Sequence, residues 1–106
     1  MHYNIKNFNI FYIRLVEVLF ERHNFHEALK IVYELESMED LTAQQKVRAK
    51  LLLSQIKCGS IMAGNQESAT SSILLLNSAL DIAKKNHLSY YEALVNMHIV
   101  NIQVTK

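Results

Sequence analysis

The first recurring pattern in the chain is a stripe of polar residues between residues 9 and 22. Arg14, Glu17 and Glu21 are spaced three and four residues apart, so they fall on one side of an α-helix. Almost every other residue in this range is apolar, and these residues together cover more than half of the helix circumference. Apolar residues on more than one side are typical of a helix with several neighbours. We therefore predict an inner helix over residues 9–22.

The same polar spacing recurs in a second predicted helix, from about Phe25 to Met38. Its polar stripe consists of Glu27, Lys30 and Glu34. Only a short break at His23-Asn24 separates this helix from the first one. Because so short a connection leaves two helices side by side and antiparallel, the sequence predicts a helical hairpin.

A capping signal marks the start of a third helix. Thr42 is followed three residues later by Gln45, an arrangement in which each side chain bonds the backbone amide of the other residue. Gly59 is predicted to end this helix, because glycine readily adopts the left-handed conformation that closes helices. The alternative is that the apolar residues Ile61, Met62 and Ala63 prolong it. The stretch that follows, residues 60–72, is rich in serine and is predicted to be a loop.

Two further helices are predicted in the last third of the chain. The fourth runs from about Ser72 to Lys85, with Asn86 as the left-handed residue that closes it. The fifth begins with Ser89 as its N-cap. It continues through a set of apolar residues, namely Ala93, Leu94, Met97, Val100 and Val104. No later segment is predicted to cover the second side of this helix.

The composition narrows the fold class. The 106 residues include no proline and two glycines, whereas the many turns of a β-sandwich or barrel depend on these residues. Half of the residues are apolar and a fifth are charged, which is too apolar for a disordered segment. The sequence therefore predicts a single all-α domain over residues 1–106, built from antiparallel helix pairs with about five helices.

Charge and cysteine content limit the partners and the compartment. The net charge is +1 and no basic run is longer than Lys84-Lys85, so nucleic acid is not a predicted partner. The single cysteine, Cys58, cannot form an internal disulfide, which favours a reducing, intracellular compartment. The most apolar stretch, residues 11–20, is interrupted by Arg14 and Glu17, so no membrane span is predicted.

Helix pairs recur along the chain with a known period. The inner helices that begin near residues 9 and 43 are about 34 residues apart, which is the length of a tetratricopeptide repeat. The run Asn24-Phe25-His26-Glu27-Ala28-Leu29 resembles the turn and second-helix start of that repeat. Tyr12, Leu15 and Leu19 fall where the family prefers an aromatic residue, a leucine and a tyrosine. This resemblance implies helix pairs stacked as a right-handed superhelix, and we expect the chain to be part of a longer solenoid.

A narrower resemblance covers the end of the chain. Residues 79–103, with a leucine-rich helix before them, look most like the repeat region of the anaphase-promoting complex subunit 5 family. That family is a scaffold subunit of a multi-subunit ubiquitin ligase and has no catalytic residues of its own. The resemblance implies a role in cell-cycle ubiquitination during cell division, with a location in the nucleus and cytoplasm. Other helical-repeat scaffolds, such as the cohesin-loader subunit and proteasome-lid subunits, have similar segments.

Side chains that could carry chemistry are few and scattered. His23, His26 and Glu27 could form half of a metal site, but no further ligands lie at tight spacing, so a turn and a solvated surface are favoured. Cys58 lies near a helix C-terminus, where the negative end of the helix dipole disfavours the thiolate. We therefore predict no catalytic residue, no metal site and no cofactor. An enzyme that uses His23, His26 or Cys58 is the least favoured alternative.

The favoured function is a non-catalytic scaffold that binds other proteins. The predicted contact residues are Phe8, Tyr12, Tyr90 and His98, because buried aromatic anchors dominate binding at protein interfaces. The apolar sides of the first and fifth helices also predict self-association or a place within a longer array. The alternative is a small self-associating helical bundle that acts as an adaptor or regulator. The two differ in whether the first and fifth helices touch, which a closed bundle requires and a solenoid does not.

Overall fold

Five α-helices make up the part of the chain that the structure describes. The computed structural model describes the backbone of residues 5–60 and 66–104 and the side chains of residues 10–58 and 70–103. The helices are α1 (Ile5–Glu21), α2 (Phe25–Glu36), α3 (Ala43–Ser60), α4 (Gln66–Lys85) and α5 (Ser89–Val104). Within these ranges there is no strand, so the predicted all-α class is confirmed. α1 begins four residues before the predicted start, and α2 ends two residues before the predicted end.

The predicted start of α3 is confirmed in detail. The Thr42 amide donates to Gln45 Oε1 at 3.0 Å, and the Gln45 amide donates to Thr42 Oγ1 at 3.1 Å. These reciprocal bonds satisfy two backbone donors that a helix N-terminus would otherwise leave unpaired. The predicted end is wrong, because α3 continues through Gly59 to Ser60.

The predicted serine-rich loop over residues 60–72 is wrong at residues 66–72, which belong to α4, while residues 61–65 lie outside the described residues. Serine favours turns because its hydroxyl competes for backbone groups, but packing against α3 outweighs that preference here. Ser72 is completely buried, and its hydroxyl lies 3.5 Å from the carbonyl oxygen of Ser54. The Lys57 ammonium donates to Ser71 Oγ at 3.2 Å. Ile61, Met62 and Ala63, which could prolong α3, lie outside the described residues.

Helix contacts run between neighbours along the chain. α3 packs on α2 and α4, while α1 and α5 each contact the adjacent helix and α3. Among the described residues, α1 contacts neither α4 nor α5, so the contact that a closed bundle requires is missing. The molecule is elongated, with extents of 50 × 32 × 19 Å. The helices therefore form an open array centred on α3, and the tetratricopeptide superhelix stays a prediction.

Two hydrophobic clusters lie on opposite sides of α3. The first cluster joins α1, α2 and α3, with Leu75 of α4 packed against it, and its fully buried members include Ile13, Val16, Ala28, Val32, Leu35 and Ile56. The second cluster joins α3, α4 and α5, and its buried members are Val47, Leu51, Leu76, Ala79, Ala83 and Val95. Because α3 supplies residues to both clusters, it is apolar on two sides. It links the hairpin of α1 and α2 to the hairpin of α4 and α5.

Two histidines close helices in the left-handed conformation. His23 has φ 62° after α1 and His87 has φ 56° after α4. In both turns the next residue bonds back across the helix end, Asn24 N to Leu19 O at 2.8 Å and Leu88 N to Ala83 O at 2.9 Å. This is the Schellman motif, in which glycine is the usual left-handed residue.

Two capping predictions near α5 are corrected by one residue. The left-handed residue after α4 is His87 rather than Asn86, whose side-chain amide instead donates to the Ile82 carbonyl oxygen at 2.8 Å. Ser89 is the first residue of α5 rather than its N-cap, because the Glu92 amide bonds the carbonyl oxygen of Leu88 at 2.9 Å. In both turns more than one neighbouring residue type could adopt the capping backbone conformation, so residue type alone did not identify the capping residue.

Glycine at either left-handed histidine should stabilise the fold. We expect His87→Gly to raise the free energy of unfolding by about 1 kcal/mol, because a Cβ atom is unfavourable at positive φ. The gain for His23→Gly should be smaller, since His23 also packs edge-on against Phe25 with ring centroids 5.4 Å apart. Urea unfolding measures both values. Arg22→Gly, at a residue without positive φ, is the control and should lose stability.

Candidate functional site: two unpartnered helix faces

The inward side of α5 fixes the direction in which its other side points. Val95 is completely buried, and Ile99 and Ile102 pack against the second cluster. The Tyr91 hydroxyl accepts a hydrogen bond from Gln44 Nε2 on α3 at 3.0 Å. These residues recur at helical spacing, so the residues between them lie on the opposite side of α5.

The opposite side of α5 is apolar and uncovered. We call Tyr90, Ala93, Met97 and Val100 the α5 face. Tyr90 is 70% exposed, Met97 51% and Val100 53%, and Ala93 is exposed as well. The sequence predicted that α5 has a second side without a helical partner, but its apolar pattern did not tell which side packs. In the structure Val95 lies in the core, and Ala93, Met97 and Val100 point outward.

Two of the predicted contact residues lie on or beside the α5 face. Tyr90 belongs to the α5 face, and its ring packs edge-on against Tyr91 with centroids 5.2 Å apart. This contact holds the Tyr90 ring against Tyr91, whose hydroxyl is hydrogen-bonded to Gln44 of α3. His98 is half-buried between the α5 face and the core side of the helix. Burial lowers the pKa of its imidazole below the usual 6.5, which favours the neutral form at neutral pH.

A second uncovered surface lies on α1. Ile13 and Val16 are buried in the first cluster, whereas Ile10, Phe11, Arg14 and Val18 are exposed on the other side of the helix; we call these four residues the α1 face. Phe11 is 63% exposed and is the largest side chain of this surface. Sequence reasoning missed Phe11, because apolar residues surround most of α1 and give no preferred side.

The other two predicted contact residues lie near the α1 face but differ from Phe11. Tyr12 packs against the first cluster and is half-buried, with its ring edge-on to Phe11 at a centroid distance of 6.3 Å. Phe8 is in α1, and its side chain lies outside the described residues. The aromatic residue that α1 presents to solvent is therefore Phe11, supported from beneath by Tyr12.

Ion pairs anchor the first hairpin to α3. Arg48 Nη2 lies 3.1 Å from Glu17 Oε1, and Lys50 Nζ lies 3.4 Å from Glu36 Oε2. All four side chains are partly buried, which limits screening by solvent. Glu17 belongs to the polar stripe predicted on α1, and in the structure it pairs with Arg48 of α3. The Arg48–Glu17 pair joins α1 to α3, and the Lys50–Glu36 pair joins α2 to α3.

The three residues considered for catalysis lie on different elements. His23 closes α1 and packs on Phe25, and His26 is exposed on α2. Cys58 is exposed at the end of α3, where its thiol donates to Ser72 Oγ at 3.3 Å. Within the described side chains, no group of three or more His, Cys, Asp or Glu residues could hold a metal ion.

A search of the described helices for membrane spans finds none that is both long and apolar enough. Comparisons with protein-family models, curated proteins and solved structures find no match to this chain. What the described residues define is an open all-α array with an apolar face on its first helix and another on its fifth.

Proposed function

We propose that this protein is a non-catalytic scaffold that binds other proteins through the outer helices of its array. The observation that carries the proposal is the exposure of Phe11 on the α1 face and of Tyr90 on the α5 face. Large apolar side chains clustered on a soluble protein's surface are typical of protein-binding sites. Both faces belong to helices that are fixed on their inner sides, so binding them requires little ordering of the chain.

The α1 face fits an amphipathic helix from a partner protein. Phe11 and Val18 lie two turns apart on one side of α1 and offer aromatic and aliphatic anchors. Arg14 is exposed between them and can pair with a carboxylate of the bound helix. Helix recognition of this kind depends on apolar anchors for affinity and on flanking charges for orientation. The proposed partner segment is therefore an apolar helix with at least one acidic residue.

The assembly that we propose is a multi-subunit ubiquitin ligase. The support is the resemblance of residues 79–103 to the repeat region of the anaphase-promoting complex subunit 5 family, a scaffold subunit. In such an assembly the chain would hold neighbouring subunits in place and would take no part in ubiquitin transfer.

Affinity purification with matched variants tests the proposal. The tagged chain is expected to recover ubiquitin-ligase subunits from a cell extract, and Phe11→Glu is expected to lower that recovery about tenfold or more. Leu74→Glu is the control, because Leu74 is 65% exposed on α4, outside both faces. Recovery of no ligase subunit, or equal recovery with Phe11→Glu, would contradict the proposal.

A further inference from the structure

The spacing of the residues in the α5 face is the same in both directions along the helix. Tyr90, Ala93, Met97 and Val100 are separated by three, four and three residues. This is the spacing of the a and d positions of a coiled coil, with Tyr90 and Met97 at a and Ala93 and Val100 at d. Because the order of intervals is palindromic, two identical α5 helices can align antiparallel with every position of the face matched.

We propose that the α5 faces of two copies of this protein pack antiparallel about a twofold axis. Tyr90 of each copy then lies opposite Val100 of the other, and Ala93 lies opposite Met97. Each match pairs a larger side chain with a smaller one, which allows the two helices to approach and their side chains to interlock. A twofold interface of this kind is closed, so association stops at the dimer.

The absence of charge on the α5 face favours a second copy as the occupant. A twofold axis brings identical surfaces together and therefore opposes like charges wherever the surface is charged. Between Ser89 and Val104 the only acidic or basic residue other than His98 is Glu92, which is half-buried and lies outside the face. The α1 face, in contrast, has Arg14 near its centre, and a twofold contact there would bring two arginines together.

The residues at the edge of the α5 face also suit an antiparallel pair. Asn96 is exposed and occupies the position next to the a residue Met97, where antiparallel helices bring identical positions together. An amide both donates and accepts hydrogen bonds, so Asn96 of one copy can bond Asn96 of the other. Gln103 is exposed on the same edge and is neutral as well. No contact on this edge therefore requires a complementary charge that a second copy would lack.

The size of the face sets the strength of the dimer. A contact one helix wide and about three turns long is smaller than the standard interface, which buries about 800 Å² per partner. The dimer should therefore be weak and its population should depend on protein concentration. The proposed dimer rests on the proposed function, because both take the α5 face as a protein-binding surface. The dimer does not involve the α1 face, to which Phe11 belongs.

Sedimentation velocity of the full chain over a roughly hundredfold range of concentration tests the dimer. The wild-type chain is expected to shift from monomer to dimer. Met97→Glu and Ala93→Lys are each expected to weaken association by about tenfold or more, because each buries a charge against an apolar side chain. Leu74→Glu is the control and should dimerise like the wild type, and circular dichroism should show that every variant keeps its helices.

The double variant Ala93→Lys with Met97→Glu tests the antiparallel alignment. In the proposed dimer the introduced ammonium of each copy lies opposite the introduced carboxylate of the other, so dimerisation should return. In a parallel pair like charges would meet and the double variant would stay monomeric. A wild-type chain that stays monomeric throughout, a dimer insensitive to Met97→Glu, or a double variant without recovery would each overturn the proposal.

The same variants separate this dimer from the proposed scaffold function. Phe11→Glu should leave the dimer intact while it lowers the recovery of ubiquitin-ligase subunits. Loss of the dimer in Met97→Glu with normal recovery by the α1 face would support both proposals independently.

Discussion

Replacing Leu35 with alanine is expected to lower the free energy of unfolding by about 2–5 kcal/mol, the usual cost of a cavity in a packed core. Leu35 is completely buried in the first cluster, between α1, α2 and α3. Because α1 and α2 contact no described residue of α5, the loss should be concentrated in the first hairpin. Amide hydrogen exchange should therefore accelerate more in α1 and α2 than in α4 and α5.

The matched substitution on the other side of α3 is Leu76→Ala. Leu76 is also completely buried, but in the second cluster, so its loss should accelerate exchange mainly in α4 and α5. In arrays whose units contact only their neighbours, stability is close to a sum of local terms and neighbour terms. Equal acceleration in all five helices for both variants would contradict the open array and would indicate one cooperative core.

The central position of α3 explains why a core substitution should accelerate hydrogen exchange in one helical hairpin more than in the other. Ala49, Leu52 and Ile56 pack into the first cluster, and Val47 and Leu51 pack into the second. The same helix thus supports both hairpins, and Leu75 of α4 also packs against the first cluster. A loss within one hairpin therefore reaches the other mainly through α3, whose residues in the second cluster stay packed.

The helices and their order were predictable because local sequence determines them. Polar residues at intervals of three and four gave α1 and α2, and Thr42 with Gln45 gave the start of α3. Capping bonds of this kind form between residues three apart and need no tertiary contact. The all-α class was predictable because the sequence has no proline and only two glycines, the residues on which the many turns of a β-sandwich or barrel depend.

The uncovered faces and the start of α4 could not be predicted from the same signals. α1 and α5 are apolar around most of their circumference, so periodicity alone does not tell whether Val95 or Met97 faces the core. That choice depends on which helices are adjacent, as the Gln44 contact with Tyr91 illustrates. The helical state of residues 66–72 depends in the same way on packing against α3, where Ser72 is completely buried beside Ser54.

A second large loss of folding stability is expected when Ser72 is replaced by aspartate. Its side chain is completely buried, with Ser54 O at 3.5 Å and Cys58 Sγ at 3.3 Å from its hydroxyl oxygen. Ser72→Asp would replace this hydroxyl with a carboxylate that faces a carbonyl oxygen and a thiol sulfur. A buried charge without a cationic partner costs about 3 kcal/mol or more, so much of the chain should unfold. Ser72→Ala removes only weak bonds and should cost about 1 kcal/mol.

Acidic substitutions at the two preceding residues make the test specific for a helix. Thr70 is exposed, so Thr70→Asp should change stability by less than about 0.5 kcal/mol. Ser71→Asp should also be tolerated, because Lys57 Nζ lies 3.2 Å from Ser71 Oγ and can pair with the new carboxylate. Urea unfolding of the three variants measures the contrast. Similar small losses at all three residues would indicate a solvated loop, whereas a large loss confined to Ser72 requires the buried helix face that packs on α3.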